Sequence, residues 1–166
     1  KMGVTVVNGV GEIKKKTAEG FTVAVEKEEY AGKQLLICTG SEALVPPIDG
    51  LRDSVANGFA LTNREILALR EVPAKLVVIG GGVIGVEFAT FYNDLGCDVT
   101  IIEGMDRLLP TMDRELGQNL AQILKKRGVK LHLNSMVKNV EETAEGTTVN
   151  FVTKDVPGDA TGEVVL

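Results

Sequence analysis

The sequence is poor in aromatic residues, and histidine occurs only once. Aromatic side chains make up 4% of the 166 residues, tryptophan is absent, and His132 is the single histidine. A Ser-His-Asp or Cys-His set needs a histidine within hydrogen-bond reach of its partners, and the sequence identifies no partner here. We expect His132 to lie in a strand and to face away from Val129, Leu131 and Leu133. No group of residues has the spacing of metal ligands, so neither a metal site nor a catalytic residue is predicted.

Long apolar runs, excess positive charge and closely spaced cysteines are also missing. Cys38 and Cys97 are too far apart for a local redox motif, and we expect both to be buried and reduced in a cytoplasmic protein. No run is long enough to span a membrane, and no secretory leader is recognisable. The net charge of -5 argues against a nucleic-acid partner. The basic clusters at residues 14–16, in a predicted hairpin, and 125–127, at a predicted helix end, are expected to be solvated.

What the sequence does contain is a glycine-rich turn between two apolar segments. Hydrophobic residues make up 44% and charged residues 25%, which is typical of a globular domain. Residues 76–79 predict a strand, residues 83–95 a helix that ends at Gly96, and residues 97–103 a second strand. The turn from Gly80 to Gly85 has the pattern Gly-x-Gly-x-x-Gly. In this context the pattern predicts a dinucleotide-binding βαβ unit.

Each part of this unit has a physical role in holding a dinucleotide. Gly80 permits the tight turn, Gly82 leaves room for a pyrophosphate, and Gly85 lets the helix pack close to the strand. The first amides of the helix then face the phosphates with the positive end of the helix dipole. Glu103, at the end of the second strand, can accept hydrogen bonds from the adenine-ribose hydroxyls and repels a 2′-phosphate, which favours NAD over NADP. Arg107 is expected to be exposed, but its reach toward a phosphate leaves that preference open.

Two alternatives stay open at this level. Glu87, placed on the first turn of the helix, either complements the positive helix end, which is worth about 0.3–1 kcal/mol, or contacts the nicotinamide half of the cofactor. An S-adenosylmethionine methyltransferase also uses a glycine loop and an acid after its second strand. The run of three glycines followed directly by Gly85 suits a dinucleotide better.

The remaining segments predict a three-layer α/β domain after a β-rich stretch. Strands are predicted at residues 4–7, 21–25 and 34–40, the last buried on both faces, and a capping box of Thr62 and Glu65 predicts a short helix. After the glycine turn, a helix is predicted at residues 112–127, with Leu116, Leu120, Ile123 and Leu124 on its apolar face. A third parallel strand is predicted at 129–133, and antiparallel strands at 137–141, 147–153 and 163–166. Parallel sheet, helices and β-meander together form a Rossmann-like architecture.

Several segments resemble a known family. Residues 76–87 (LVVIGGGVIGVE), 96–103 (GCDVTIIE) and 106–110 (DRLLP) resemble the NAD domain of dihydrolipoamide dehydrogenases, which are pyridine nucleotide–disulfide oxidoreductases. Residues 36–41 resemble the family's "ATG" strand, and residues 7–11 resemble a preceding FAD-domain segment. The resemblance covers essentially the whole chain.

The resemblance implies roles for individual residues. NAD would be contacted by Gly80, Gly81, Gly82, Val83, Ile84, Gly85, Val86 and Glu87, its adenine ribose by Glu103 and its adenine side by Val137. FAD would be contacted by Gly11, Thr39, Gly40 and Ser41. In the family, a hydride passes between NAD and the flavin, and electrons then pass to a redox-active cysteine pair. The resemblance also implies a homodimeric parent that serves a 2-oxo-acid dehydrogenase or glycine cleavage complex.

The family's first FAD glycine motif, its Cys-x4-Cys disulfide and its dimer domain do not occur in this sequence. We therefore expect an internal fragment, with residues 1–72 a partial FAD-binding segment and connector and residues 73–166 an NAD-binding domain truncated at its C-terminal end. Alone, it is expected neither to reduce a disulfide nor to retain FAD tightly. The apolar residues 35–38 are expected to stay exposed or to pair with a second copy. Alternatives are a related flavoprotein, such as an NADH oxidase or mercuric reductase, and a non-catalytic nucleotide-binding or structural fragment.

Overall fold

The computed structural model describes residues 3–166, which form two compact units. The first unit ends at Glu42 and the second runs from Ala43 to Leu166. Residues 43–72 pack within the second unit, since Leu51 and Ile66 are buried in its two cores. The sequence predicts a boundary between the FAD segment and the NAD domain at residue 72, whereas the chain divides into its two compact units between residues 42 and 43. The functional boundary stays a prediction.

The first unit is a three-stranded antiparallel meander. Its strands are β1 (Gly11–Thr17), β2 (Gly20–Val25) and β3 (Glu28–Gly32). The strand predicted at residues 21–25 is confirmed by β2, and the basic residues 14–16 lie in the hairpin as expected. Ala24 is the one buried hydrophobic residue among the described residues of this unit. The unit therefore has almost no core of its own.

Two strands predicted in the first unit are not formed. Residues 4–7 and 35–40 have no regular secondary structure. Leu36 is 85% exposed, and Cys38 is exposed as well, so its predicted burial is wrong. A strand buried on both faces needs neighbouring strands and covering layers, and within residues 3–166 no strand pairs with this segment. The prediction that Cys97 is buried is confirmed.

The second unit contains the predicted layers. In chain order its elements are α1 (Leu51–Ala56), a 3-10 turn (Ile66–Ala68), β4 (Lys75–Ile79), α2 (Val83–Asp94), β5 (Asp98–Ile102), α3 (Arg114–Lys126), β6 (Lys130–His132), β7 (Ser135–Thr143), β8 (Gly146–Thr153), β9 (Val156–Gly162) and β10 (Val164–Val165). Within residues 3–166, no helix is long and apolar enough to cross a membrane.

The central sheet is parallel, with strand order β10-β4-β5-β6. The sequence predicts three parallel strands, and the structure adds a fourth, β10. Residues 163–166 were expected to form the last antiparallel strand, and this is wrong because Val164 and Val165 pair in parallel with Leu76 and Val77 of β4. The third antiparallel strand is instead β9, which pairs with β8 over its whole length.

The side chains of the sheet alternate between two cores. Val78 faces the helices and packs in a cluster with Leu124 of α3. Val77 faces the β7–β9 meander and packs in a cluster with Phe151 of β8. The predicted arrangement of helices, parallel sheet and β-meander is confirmed, and it leaves the carboxyl ends of β4 and β5 at one edge of the sheet.

The capping box forms, although the helix after it is only one turn. The Glu65 carboxylate accepts hydrogen bonds from the Thr62 amide, at 2.9 Å, and from the Thr62 hydroxyl. The turn ends at Ala68 because Leu69 takes an extended backbone (φ −60, ψ 135).

The long helix α3 buries only part of the face predicted for it: Leu124 is buried and Leu120 packs against the helix-side core as expected, but Leu116 and Ile123 do not. Leu116 and Ile123 are 54% and 51% exposed, whereas Gly117, Ala121 and Leu124 are buried. Small residues on the inner face bring the α3 backbone close to its neighbours, so close approach rather than side-chain size decides which face is buried.

Candidate functional site

The glycine turn, residues Gly80–Gly85, connects β4 to α2 and depends on its glycines. Gly80 has a φ of 106, which only glycine adopts readily, and its amide donates to the Ile102 carbonyl at 2.9 Å. A Cβ added to Gly85 would lie 2.3 Å from the Gly80 carbonyl oxygen. The backbone roles predicted for these two glycines, tight turn and close packing of helix on strand, are therefore present in the structure.

Gly82 combines open space with an ordinary backbone conformation (φ −73), whereas Gly80 needs its positive φ and Gly81 packs against Leu108. Gly82 is the N-cap residue of α2, with no side-chain cap, and an added Cβ would meet no atom within 4 Å. The free amides of the first helical turn therefore face an open region, which is the geometry that binds phosphate groups at helix N-termini. The site fits a pyrophosphate in shape and in polarity.

The acid after β5 lies directly against the glycine turn. One carboxylate oxygen of Glu103 accepts a hydrogen bond from the Gly81 amide, and the other accepts one from the Met105 amide, both at 2.6 Å. The residue is only 7% exposed. A carboxylate offers about four acceptor positions, so two remain for other donors. The structure thus brings together the glycine turn and the acid that the sequence pattern had paired.

Several other predicted NAD residues lie on the first part of α2. Val83 and Ile84 are 44% and 54% exposed, whereas Val86 is buried in the helix-side core. Glu87 is exposed but lies one residue beyond the first turn, so its predicted place in that turn is corrected. The helix begins at Val83, as predicted, so Glu87 is its fifth residue and lies past the first turn of 3.6 residues.

A largely apolar cavity of about 480 Å³ opens beside the glycine turn. Gly80, Gly82 and Val83 form one wall, and Val45 and Leu61, from the segment before β4, lie among the lining residues. Ligand pockets in proteins fall in the same range of about 300–1,000 Å³. The volume and the apolar lining of this cavity therefore suit the less polar part of a dinucleotide.

Two further candidates, Val137 and Arg107, already contact neighbouring residues. Val137 lies in β7, paired with Phe151, and packs on the meander-side core. The Arg107 guanidinium donates to the Pro110 carbonyl at 3.0 Å and lies 3.3 Å from the Asp106 carboxylate. The structure therefore holds Arg107 within its own loop.

His132 faces away from Leu131 and Leu133, as predicted, but that side is covered by the meander. Its ring centroid lies 4.7 Å from that of Phe151. Burial, together with the nearby charge of Lys130, lowers the pKa of the imidazole. The ring therefore has a packing role in this structure. Within residues 3–166, no three His, Cys, Asp or Glu side chains are grouped as metal ligands.

The residues assigned to FAD lie in the first unit. Gly11 is the first residue of β1, whereas Thr39, Gly40 and Ser41 are exposed and have no regular structure. Gly40 has a φ of 79, which favours glycine. Their contact with FAD stays a prediction.

Two residues of the segment 106–110, to which the sequence motifs assigned no site role, complete the glycine turn. Leu108 is fully buried, and a Cβ added to Gly81 would lie 2.5 Å from its Cδ2 atom. Leu109 donates its amide to the Gly81 carbonyl at 2.8 Å. The available signal was the segment itself, since residues 106–110 are among those that carry the family resemblance.

Comparison with known proteins identifies the family. A family model described as pyridine nucleotide-disulphide oxidoreductase matches residues 1–163. The chain belongs to this family. The resemblance that the sequence motifs indicate is therefore confirmed.

Relatives within the family include dihydrolipoyl dehydrogenases and flavoprotein disulfide reductases. The chain is 44% identical over 142 residues to dihydrolipoyl dehydrogenase of Acholeplasma laidlawii, covering 86% of this chain and 41% of that protein. Among solved structures it is similar to LpdA of Mycobacterium tuberculosis, with a TM-score of 0.75 and 26% identity, over 99% of this chain and 36% of that one. It is also similar to the HOCl-induced flavoprotein disulfide reductase RclA of Escherichia coli, with a TM-score of 0.73 and 29% identity, over 98% and 35% of the two chains. The chain thus spans about two-fifths or less of the length of each of these proteins.

Proposed function

We propose that this chain is the NAD(H)-binding portion of an FAD-dependent disulfide oxidoreductase, most like dihydrolipoamide dehydrogenase. The observation that carries the proposal is the hydrogen bond of 2.6 Å between the Gly81 amide and the Glu103 carboxylate. It places the acid that would recognise the ribose beside the turn that would hold the pyrophosphate. Family membership supports the same pair of cofactors, flavin and nicotinamide.

The residues suit different parts of the dinucleotide. Gly82 and the free amides at the start of α2 would bind the pyrophosphate, because the helix end is positive and no side chain blocks it. Glu103 would accept hydrogen bonds from the ribose hydroxyls, and Val137 would line the adenine side. Ile84 and Glu87, both exposed on α2, would face the nicotinamide half. When bound, the two cofactors, nicotinamide and flavin, would supply the chemistry, which is hydride exchange between them.

The same geometry favours NAD over NADP. Two backbone amides fix the Glu103 carboxylate, so its negative charge stays where a 2′-phosphate would otherwise bind. The Arg107 guanidinium lies 3.3 Å from the Asp106 carboxylate and donates to the Pro110 carbonyl, so it is already engaged within its loop and does not compensate the charge of that phosphate. Loss of one hydrogen bond between a ribose hydroxyl and the Glu103 carboxylate would weaken the free energy of binding by about 1.5–3 kcal/mol.

The rest of the reaction lies with the parent protein. We place it in the cytoplasm as a homodimer that serves a 2-oxo-acid dehydrogenase or glycine cleavage complex, with FAD contacts at Gly11 and at residues 39–41. Similarity to RclA, described as a flavoprotein disulfide reductase, supports a second candidate, a family member that reduces a different disulfide. Under either candidate the isolated chain is expected to be inactive toward disulfides.

Calorimetric titration with NADH, NADPH and S-adenosylmethionine tests the proposal. The chain is expected to bind NADH more tightly than NADPH and not to bind S-adenosylmethionine. Glu103→Gln should weaken NADH binding about tenfold or more, since each lost hydrogen bond to a charge is worth about 1.5–3 kcal/mol. Glu115→Gln, which removes an exposed carboxylate on α3, is the matched control and should change nothing. Equal affinities of Glu103→Gln and the unmodified chain for NADH would refute the role of Glu103.

A further inference from the structure

Two glycines from different elements pack against the same buried leucine. The loop of residues 103–110, here named the clamp loop, follows β5 and contains Leu108. A Cβ added to Gly81 would lie 2.5 Å from Leu108 Cδ2, and one added to Gly117 would lie 2.2 Å from the Leu108 carbonyl oxygen. Close-packed interiors cannot absorb such overlaps without movement. Leu108 is therefore held between the glycine turn on one side and α3 on the other.

The clamp loop also holds both polar groups of Gly81. The Gly81 amide donates to the Glu103 carboxylate at 2.6 Å, and the Gly81 carbonyl accepts from the Leu109 amide at 2.8 Å. Leu109 has a φ of 51, which is uncommon for a residue with a side chain and is held only where surrounding contacts fix it. The orientation of the Gly81 peptide thus depends on the position of residues 108 and 109.

We propose that Gly117 is a positioning residue for dinucleotide binding. It lies in α3, outside the glycine fingerprint, and its missing side chain lets the helix backbone rest on Leu108. Through Leu108 and Leu109 it fixes the Gly81 peptide, and so sets the direction of the next amides, those of Gly82 and the start of α2. This inference rests on the proposed function, because the amides that it positions are those that would bind the pyrophosphate.

A purely structural role for Gly117 predicts a different outcome of its substitution than a positioning role does. If Gly117 only allows α3 to pack closely, an added methyl group would lower the free energy of unfolding and leave the affinity of the folded molecules unchanged. Positioning adds two effects that packing alone does not predict. The Gly81 amide would lose more protection from hydrogen exchange than the amides of β4 and β5, which report the loss of global stability, and the amides beyond it would be misdirected toward a ligand.

The experiment compares Gly117→Ala with Gly128→Ala. Gly128 follows the end of α3 with a φ of 92 and open space around it, so its substitution strains the backbone without contacting the clamp loop. NADH affinity is measured by calorimetry, and exchange of the Gly81 amide, relative to the amides of β4 and β5, is measured by NMR. Gly117→Ala is expected to weaken NADH binding by about tenfold or more, because a misdirected amide weakens a hydrogen bond to a charged phosphate and about 1.4 kcal/mol corresponds to a factor of ten. It should also speed exchange of the Gly81 amide, whereas Gly128→Ala should leave both measurements as in the unmodified chain.

Two outcomes overturn the inference: Gly117→Ala matches the unmodified chain in both measurements, or both variants change them equally. If the unmodified chain does not bind NADH, the proposed function fails, and exchange at Gly81 relative to the amides of β4 and β5 still decides whether Gly117 positions the turn. If Gly117→Ala does not fold, Leu108→Val replaces it, since it removes the Cδ2 atom that packs on Gly81 and keeps the carbonyl that packs on Gly117. Unchanged exchange at Gly81 in Leu108→Val would then overturn the inference.

Discussion

At the residue scale, the two cysteines have opposite environments. Cys97 is 3% exposed, and burial, reinforced by the charges of Asp98 and Glu163, raises the pKa of its thiol to about 11. Only the thiolate reacts with alkylating agents, so at pH 8 burial and the raised pKa both protect it. We expect iodoacetamide to modify Cys38, which is exposed, and to leave Cys97 unmodified until the chain is unfolded. Mass spectrometry of the labelled peptides measures this, with Cys38→Ser as the control that should take up no label. Equal labelling of the two thiols in the native chain would contradict the prediction.

His132 makes stability depend on pH near neutrality. Burial and Lys130 lower the pKa of the folded imidazole below its ordinary value of 6.5. Below pH 6.5 the unfolded chain therefore binds a proton that the folded chain does not, which favours unfolding. The contribution of His132 is present above pH 6.5 and is lost as the pH falls through the folded pKa. Denaturant titrations between pH 7.5 and 5 are expected to show this fall in the free energy of unfolding, and His132→Gln should flatten it. An equal slope in the variant would assign the fall to other groups.

At the scale of elements, we expect two glycines of the glycine turn to have different roles: Gly85 is needed for stability, and Gly82 for binding. A Cβ at Gly85 would lie 2.3 Å from the Gly80 carbonyl oxygen and 3.0 Å from Val78, so α2 would have to move away from β4. Gly85→Ala is therefore expected to lower the free energy of unfolding by about 1–3 kcal/mol. Gly82→Ala meets no atom and keeps an ordinary backbone conformation, so stability should change by less than about 0.5 kcal/mol.

The same Gly82→Ala chain should lose NADH affinity, because the new methyl group occupies the space assigned to the pyrophosphate. Chemical denaturation and NADH titration on both variants separate the two effects. A Gly82→Ala chain that binds NADH as well as the unmodified chain would contradict the assignment of the phosphate site.

Local patterns predicted the elements around the glycine turn and failed where structure depends on distant partners. The glycines set the geometry of the turn and the start of α2 locally, and the apolar run before them forms β4 because β5 and β10 pair with it on either side. The run at residues 35–38 has the same apolar character but lies exposed, since no described strand pairs with it. The strand β9 contains Pro157 and Gly158, which resemble a turn, and it exists because β8 pairs with it. In α3 the buried glycine and alanine gave a weaker hydrophobic signal than the exposed Leu116.

At the scale of the whole molecule, stability is concentrated in the second unit. Both hydrophobic clusters draw their members from residues 45–166, and residues 3–42 of the first unit contribute one buried hydrophobic residue, Ala24. The candidate NAD site, with the glycine turn, the clamp loop and the adjacent cavity, lies entirely within the second unit. Folding and nucleotide binding should therefore both survive removal of the first.

Two truncated chains test this and locate the true start of the domain. A chain that begins at Ala43 keeps every member of both clusters, so its free energy of unfolding should stay within about 1 kcal/mol of the full chain. A chain that begins at Pro73, near the boundary predicted by sequence, lacks Leu51 and Ile66, which are 6% and 1% exposed. Burial of a leucine or isoleucine contributes about 1.5–3 kcal/mol, so this chain should be less stable by at least about 3 kcal/mol. Urea unfolding followed by circular dichroism measures both, and NADH titration checks that the longer chain still binds. Equal free energies of unfolding for the two truncated chains would contradict the prediction, because residues 43–72 would then contact the domain without stabilising it.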